Sequence, residues 1–220
     1  MRHADSQTLV DYWNGLRAGR PCPMRSEVDP RQIDCNIGHL FILEDLGSGN
    51  IRFRLAGSAL VDAFWMELRG MPLHAIMEPE ARQSVVALVS EALEEPGIGR
   101  ATLARAGGAG EWEMVVLPLR SGRGAVDRVL GALYPLEGSP ARPANPPLTF
   151  SIEEMAITPV SQLAADEAQR LQAGMAEAQA PWEPAPGPSL TSIEGGVSEG
   201  ARVVNGLHER PRLRLVKDDD

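Results

Sequence analysis

Apolar residues recur along the first part of the chain in patterns that predict a helix, a hairpin, further helices and three strands. Leu9, Tyr12, Trp13 and Leu16 lie at the spacing of one helix face, behind polar residues 5–6 that can cap a helix. Burial of these four side chains is worth on the order of 6–10 kcal/mol as an upper estimate. We therefore expect this helix to pack against another element.

A β-hairpin is predicted next. Strand candidates 38–45 and 51–57 flank a Gly-Ser-Gly-Asn turn. In the second strand, Ile51, Phe53 and Leu55 alternate with arginines, and strict alternation predicts that all three face the same side of the sheet.

Helices and three more strands complete the predicted domain, which spans residues 1–138. The predicted helices cover residues 58–66 and 79–95, and the predicted strands cover residues 99–106, 111–119 and 126–137. Sequential hairpins indicate an α+β fold with a five-stranded antiparallel sheet and the helices on one face.

The strand candidate at 111–119 is apolar on both faces, so its sheet needs two covers. Trp112 points to one side and Val115 to the other. The later helices cover only one face. We therefore expect the helix that carries Leu9 and Trp13 to cap the second face, from its own chain or from a dimer partner.

Six large apolar residues are predicted between the sheet and the later helices. They are Phe53, Leu55, Phe64, Trp65, Leu88 and Trp112. They could line a ligand cavity or form a packed core, and an apolar lining alone does not distinguish the two. A packed core is the favoured interpretation.

The composition changes after Gly138. Four prolines between residues 140 and 147 indicate a linker, so residues 139–220 are predicted to be a Pro/Gly-rich, disordered or weakly helical tail. A weak helix is predicted between Pro159 and Pro181. In residues 210–217 arginine alternates with leucine and valine, which predicts a strand that docks on a sheet edge in cis or in trans.

Charge and composition exclude several classes of protein. The chain carries 21 basic and 30 acidic residues, a net charge of -9, which disfavours nucleic-acid binding. Its apolar runs are too short for a membrane span, and its N-terminus has no apolar signal core, so we expect a cytoplasmic protein. The two cysteines, Cys22 and Cys35, have neither disulfide-framework nor zinc-site spacing.

The residues indicate no enzyme. Ser58 follows Gly57 after a strand, but no Gly-x-Ser-x-Gly motif surrounds it, and a helix N-cap explains it better. The acidic pairs at 94–95 and 153–154 fit a solvated helix end and linker. The sequence therefore predicts no catalytic site and no metal site.

Four stretches in order carry a family resemblance. They are Trp13–Arg17, Pro23–Pro30, Phe53–Ser58 and Glu67–Gly70. Together they resemble a bacterial family of short, single-PAS-domain proteins over residues 8–137. The resemblance implies a regulatory role in signal transduction through contact with another protein, and it brings no catalytic residue. A homodimer is a further expectation, since a second copy of the chain could supply the cover of the sheet.

No cofactor motif accompanies the resemblance. Flavin-binding PAS domains that form a photoadduct share an Asn-Cys-Arg motif on a helix, whereas here Cys35 precedes Asn36 outside the predicted helices. A haem would need an axial ligand, and neither His74 nor His39 is favoured over an ordinary structural histidine. The sequence therefore predicts a regulatory adaptor that binds a protein partner. The alternative is a sensor or carrier with a small molecule in the PAS cavity.

Overall fold

The computed structural model describes residues 2–108, 110–139 and 148–163 of the chain. Within these ranges, α-helices span Ala4–Arg17 (α1), Ser58–Phe64 (α2) and Arg82–Glu94 (α3). The six strands are Leu40–Asp45 (β1), Ile51–Ala56 (β2), Gly97–Arg105 (β3), Glu111–Arg120 (β4), Val126–Pro135 (β5) and Phe150–Pro159 (β6).

All six strands form one antiparallel sheet, in the order β2-β1-β5-β4-β3-β6. The α+β class and the antiparallel sheet are confirmed, but the predicted number of five strands is wrong. The sixth strand, β6, pairs with β3 from Gly97↔Pro159 to Arg105↔Phe150. The sheet therefore continues past the predicted domain boundary at residue 138.

Most of the predicted tail lies outside the described residues. Residues 160–163 are helical, at the start of the predicted weak helix. The rest of that helix and the docking-like strand at 210–217 are not among the described residues. No helix in the described ranges combines the length and the apolar character needed to cross a membrane.

Apolar side chains form two layers, one on each face of the sheet. The helix-side core lies between the sheet and α2 and α3, and the cap-side core lies between the sheet and α1. Strand β4 contributes to both, since Trp112 points into the helix-side core and Val115 into the cap-side core. This alternation confirms that the sheet needs two covers.

Helix α1 supplies the second cover from its own chain. Leu9 and Trp13 are fully buried in the cap-side core, and Tyr12 and Leu16 pack against it while partly exposed. The predicted cap helix is therefore confirmed. It begins before the predicted capping residues, because the side chain of His3 accepts the capping hydrogen bond.

A buried carboxylate on β4 fixes the start of α1. The two oxygens of Glu113 accept hydrogen bonds from the backbone N–H groups of Arg2 (2.8 Å) and His3 (3.0 Å). Glu113 itself is almost fully buried. The two acceptors satisfy the N–H groups of the N-cap residue and of the residue before it, and the negative charge lies at the positive end of the helix dipole.

The two edges of the sheet differ. The outer edge of β2 is covered, because Phe53 exchanges backbone hydrogen bonds with Gly70 (2.8 Å) and Met71 (3.0 Å). The outer edge of β6 makes one bridge, between Phe150 and Met77, and no further backbone pairing with described residues along its remaining length.

Candidate functional site

Four of the six predicted cavity residues lie together in the helix-side core. Phe53, Phe64, Leu88 and Trp112 are each at most 2% exposed. Aromatic rings contact one another there: Phe64 and Trp112 have centroids 6.0 and 5.6 Å from that of Phe150 on β6. These contacts fit a packed core lined by edge-to-face and tilted ring pairs.

The structure does not place Leu55 with the other predicted cavity residues. Leu43 pairs with Phe53 and Ile42 pairs with Leu55, so Arg54 is an extra residue in a β-bulge. The bulge reverses the alternation after Phe53 and turns Leu55 to the opposite face of the sheet, where it is 49% exposed. The predicted position of Leu55 is therefore wrong.

Trp65 also lies outside the helix-side core. Helix α2 ends at Phe64, and Trp65 follows in a left-handed conformation with φ of 57°. Its side chain is 52% exposed. The helical pattern predicted both aromatics inside, but only Phe64 belongs to the last helical turn.

One indole N–H in the helix-side core has no hydrogen-bond acceptor. The side chain of Trp112 is fully buried, and its Nε1 forms no hydrogen bond with any described residue. A buried donor without a partner costs on the order of 1–3 kcal/mol. This group is the one polar feature of the predicted cavity lining that could orient a ligand.

A cavity opens on the other face of the sheet, and the sequence did not reveal it. The volume of this cap-side cavity is about 290 Å³. Its apolar lining includes Val28, Ile33, Ile42, Leu55 and Leu130. The signal for it was present but unassigned, since Val28 and Ile33 are apolar residues in a loop that had no predicted place in the core.

The lining of the cap-side cavity contains one charged residue, Arg25. The Arg25 residue is partly buried, and its guanidinium forms neither a hydrogen bond nor an ion pair with any described residue. Glu44 on β1 is outside this lining, and its carboxylate is ion-paired with Arg128 at 2.5 Å and with Arg54.

A polar cluster borders the cap-side core where β1 begins. The phenol oxygen of Tyr134 lies 3.3 Å from both Cys35 Sγ and the carbonyl oxygen of Asn36, and its single O–H donates to one of the two at a time. Burial raises the pKa of Tyr134 and of the Cys35 thiol above their ordinary values. Both groups are therefore held in their neutral forms.

His39 lies in a 3-10 turn before β1, not in the predicted strand. Its Nδ1 lies 3.0 Å from the carbonyl oxygen of Leu133. Burial lowers the pKa of His39, although the bond to Leu133 acts in the opposite direction. His74 lies in a separate 3-10 turn, Leu73–Ile76. Within the described ranges, no three His, Cys, Asp or Glu side chains are grouped to hold a metal ion.

The strand order and the helices on one face define the class of the domain. Five neighbouring strands of the sheet have the order β2-β1-β5-β4-β3, and α2 and α3 lie between β2 and β3 along the chain. This is the arrangement of a PAS-type α+β sensor module. The chain belongs to the PAS domain family, because residues 1–134 match the family model described as PAS domain. A role of the signalling sensor or regulator kind follows from this membership.

Other comparisons add little. No curated protein matches the chain. Among solved structures, the chain is similar to one described as "Flavin Analogue Sheds Light on Light-Oxygen-Voltage Domain Mechanism". The identity is 14%, the match covers 61% of this chain and 88% of that chain, and the TM-score is 0.37. A likeness at that score supports no conclusion about ligand or function.

Proposed function

We propose that this PAS protein is a cytoplasmic regulator that acts through contact with a protein partner and not through catalysis. The partner is either a different protein or a second copy of the chain. The observation that carries the proposal is the outer edge of β6, which beyond Phe150 pairs with no other strand of the described residues and offers a row of backbone donors and acceptors to an incoming strand.

The properties of β6 support this choice of surface. Glu153, Glu154, Met155 and Ala156 are consecutive and all exposed, so the middle of the strand is open on both faces. The other edge strand, β2, is already paired with residues 70–72. A partner strand can therefore extend the sheet at β6 and not at β2. The two carboxylates favour a partner strand that carries basic side chains.

The proposal is tested by charge substitution on this edge. We expect Met155→Lys to reduce partner retention at least tenfold when tagged protein is purified from its native cells, because lysine on an edge strand opposes pairing. The matched control is Leu46→Lys, since Leu46 is 49% exposed and Met155 is 47% exposed. Absence of a stoichiometric partner, or equal retention by both variants, would contradict the proposal.

The C-terminal residues offer one occupant for the same edge. The alternating arginines at 212 and 214 would complement the carboxylates of Glu153 and Glu154. We expect deletion of residues 207–220 to change either partner binding or domain stability. If both stay as in the full chain, docking of this segment in cis and in trans is excluded.

A second candidate function is a sensor or carrier with a small molecule in the helix-side core. The unpartnered Nε1–H of Trp112 favours it, because a ligand acceptor could satisfy this donor. Native mass spectrometry of protein from native cells tests both functions together. A bound metabolite would support the sensor, whereas a stoichiometric protein complex without one would support the regulator.

A further inference from the structure

We propose that the cap-side cavity binds a small amphipathic carboxylate, with its apolar part against β1 and β2 and its carboxylate on Arg25. The site lies on the opposite face of the sheet from the helix-side core. It is therefore distinct from both the partner edge and the alternative ligand site discussed above.

Exposure shows that the cavity is an opening into the cap-side core and not a surface depression beside it. Val28, Ile33 and Ile42 line the cavity and are 7–8% exposed. Leu9 and Trp13, in the part of the same core that α1 covers, are fully buried. Helix α1 thus leaves this end of the layer open to solvent. Removal of apolar surface of this kind from water by a ligand lowers the free energy, and so favours binding.

The shape and size of the cavity suit a short chain. Its volume of about 290 Å³ lies at the lower limit of small-molecule sites, which hold roughly 300–1,000 Å³. Its rim is formed by Ile37 and Leu55, which are 52% and 49% exposed. A helix or a long acyl chain exceeds this space, whereas a chain of about eight carbons suits it.

The charge of the lining selects an anion. Arg25 is the one charged residue of the lining, and its neighbours along the chain do not neutralise it. The carboxylate of Glu27 is bound by Arg20 at 2.9 Å, and that of Asp29 accepts the backbone N–H of Arg31 at 3.0 Å. A single unpaired guanidinium beside an apolar wall is complementary to one carboxylate on an apolar body.

The placement of these residues follows from two local features. The bulge at Arg54 turns Leu55 toward the cavity, and Gly57 allows the turn around residues 37–38 to approach closely, since a Cβ at Gly57 would lie 2.3 Å from the carbonyl oxygen of Gly38. Two of the four stretches that carry the family resemblance, Pro23–Pro30 and Phe53–Ser58, meet at this cavity. The formation of the cavity therefore depends on the bulge at Arg54 and on the absence of a side chain at Gly57.

The experiment uses sodium octanoate as the probe and 1-octanol as its uncharged counterpart, with the full chain observed by methyl NMR. We expect octanoate to shift the methyl signals of Ile42, Leu55 and Leu130 saturably and to leave those of Val85 and Leu88 in place. Arg25→Gln should weaken octanoate binding about tenfold, as expected for loss of one charge-assisted hydrogen bond, and should not alter octanol binding.

Two further variants make the outcome decisive. Arg31→Gln removes an exposed arginine from the adjacent turn, outside the cavity, and should change octanoate affinity less than twofold. Leu55→Glu places a negative charge on the exposed rim and should weaken octanoate more than octanol. Unchanged spectra up to the solubility limit of octanoate, shifts confined to the helix-side methyls, or equal loss in Arg25→Gln and Arg31→Gln would each overturn the proposal. Partner retention by wild type and Met155→Lys is measured separately, so failure here leaves the regulator proposal intact.

Discussion

The indole Nε1–H of Trp13 donates a hydrogen bond of 2.9 Å to the main-chain carbonyl of Pro118. Both groups are buried, so the bond joins the middle of α1 to β4 without competition from water. Trp112, on the same strand, is equally buried but its Nε1 has no acceptor among the described residues. The two tryptophans therefore differ in hydrogen bonding and agree in burial.

This difference predicts the outcome of two matched substitutions. Trp13→Phe leaves the carbonyl of Pro118 unpaired, whereas Trp112→Phe removes a donor that lacks a partner. We expect Trp13→Phe to lower the free energy of unfolding by about 1–3 kcal/mol more than Trp112→Phe does. Urea titration followed by far-UV circular dichroism measures both. Equal losses would mean that the Trp112 N–H is satisfied in solution, which would favour a bound small molecule.

A second prediction concerns the anchor at the start of α1. Glu113→Gln replaces one carboxylate acceptor with an amide N–H₂ group and leaves one of the N–H groups of Arg2 and His3 unpaired. The expected loss in the free energy of unfolding is about 1–3 kcal/mol, with faster amide exchange in the first turn of α1. Hydrogen-exchange mass spectrometry and urea titration measure these effects.

Glu111→Gln is the matched control for Glu113. Glu111 forms an ion pair of 2.6 Å with Arg2, but both side chains are about half exposed. Such exposed pairs contribute at most about 1 kcal/mol. A loss in Glu111→Gln equal to that in Glu113→Gln would show that charge, and not the buried hydrogen bonds, holds the helix start.

A third prediction concerns close packing on β5. A Cβ at Gly131 would lie 2.1 Å from the ring of Phe41, which is itself buried and packed edge-on to Phe53. Because that ring has little room to move, we expect Gly131→Ala to lower the free energy of unfolding by about 1–3 kcal/mol. Thermal unfolding measures the effect. Gly122→Ala is the control, since nothing lies within 4 Å of its added Cβ, and it should change stability by at most about 1 kcal/mol.

A fourth prediction concerns pH. Burial holds the pKa of His39 below the value of about 6.5 that it has in the unfolded chain, so the unfolded state binds the proton more readily. The contribution of His39 to stability is therefore complete above about pH 6.5 and is lost as the pH falls below it. We expect the free energy of unfolding to decline more steeply between pH 7 and 5 in the wild type than in His39→Asn.

The variant isolates His39 because the other titrating groups are common to both chains. Asn retains a donor for the carbonyl of Leu133 but does not titrate. Parallel stability curves for the two proteins over this pH range would contradict the assignment of the effect to His39.

The periodic spacing of apolar residues predicted the two apolar layers on the faces of the sheet, because this spacing follows directly from which side chains are buried. Residues on β4 alternate without interruption, and the stripe of α1 has the spacing of one helix face, so both covers of the sheet could be inferred. Strand β6 escaped prediction because it is an edge strand. Its central residues, from Glu153 to Ala156, are exposed on both faces, so no alternation marks them, and four prolines precede it.

The site was less predictable than the fold, for a specific reason. A β-bulge depends on how two strands pair, and neither Arg54 nor its neighbours differ in type from residues of a regular strand. One extra residue in the pairing moved Leu55 from the predicted helix-side core to the other face of the sheet. The cap-side cavity follows from that change, so strict alternation could not have predicted it.

Strand β4 gives the two layers a common mechanical element. Trp112 touches the helix-side core, while the next residue, Glu113, holds the start of α1, and the carbonyl of Pro118 holds its middle. A displacement of β4 would therefore move α1 as well, because the helix is hydrogen-bonded to this strand at two points. The two apolar layers are mechanically coupled through the single strand that separates them.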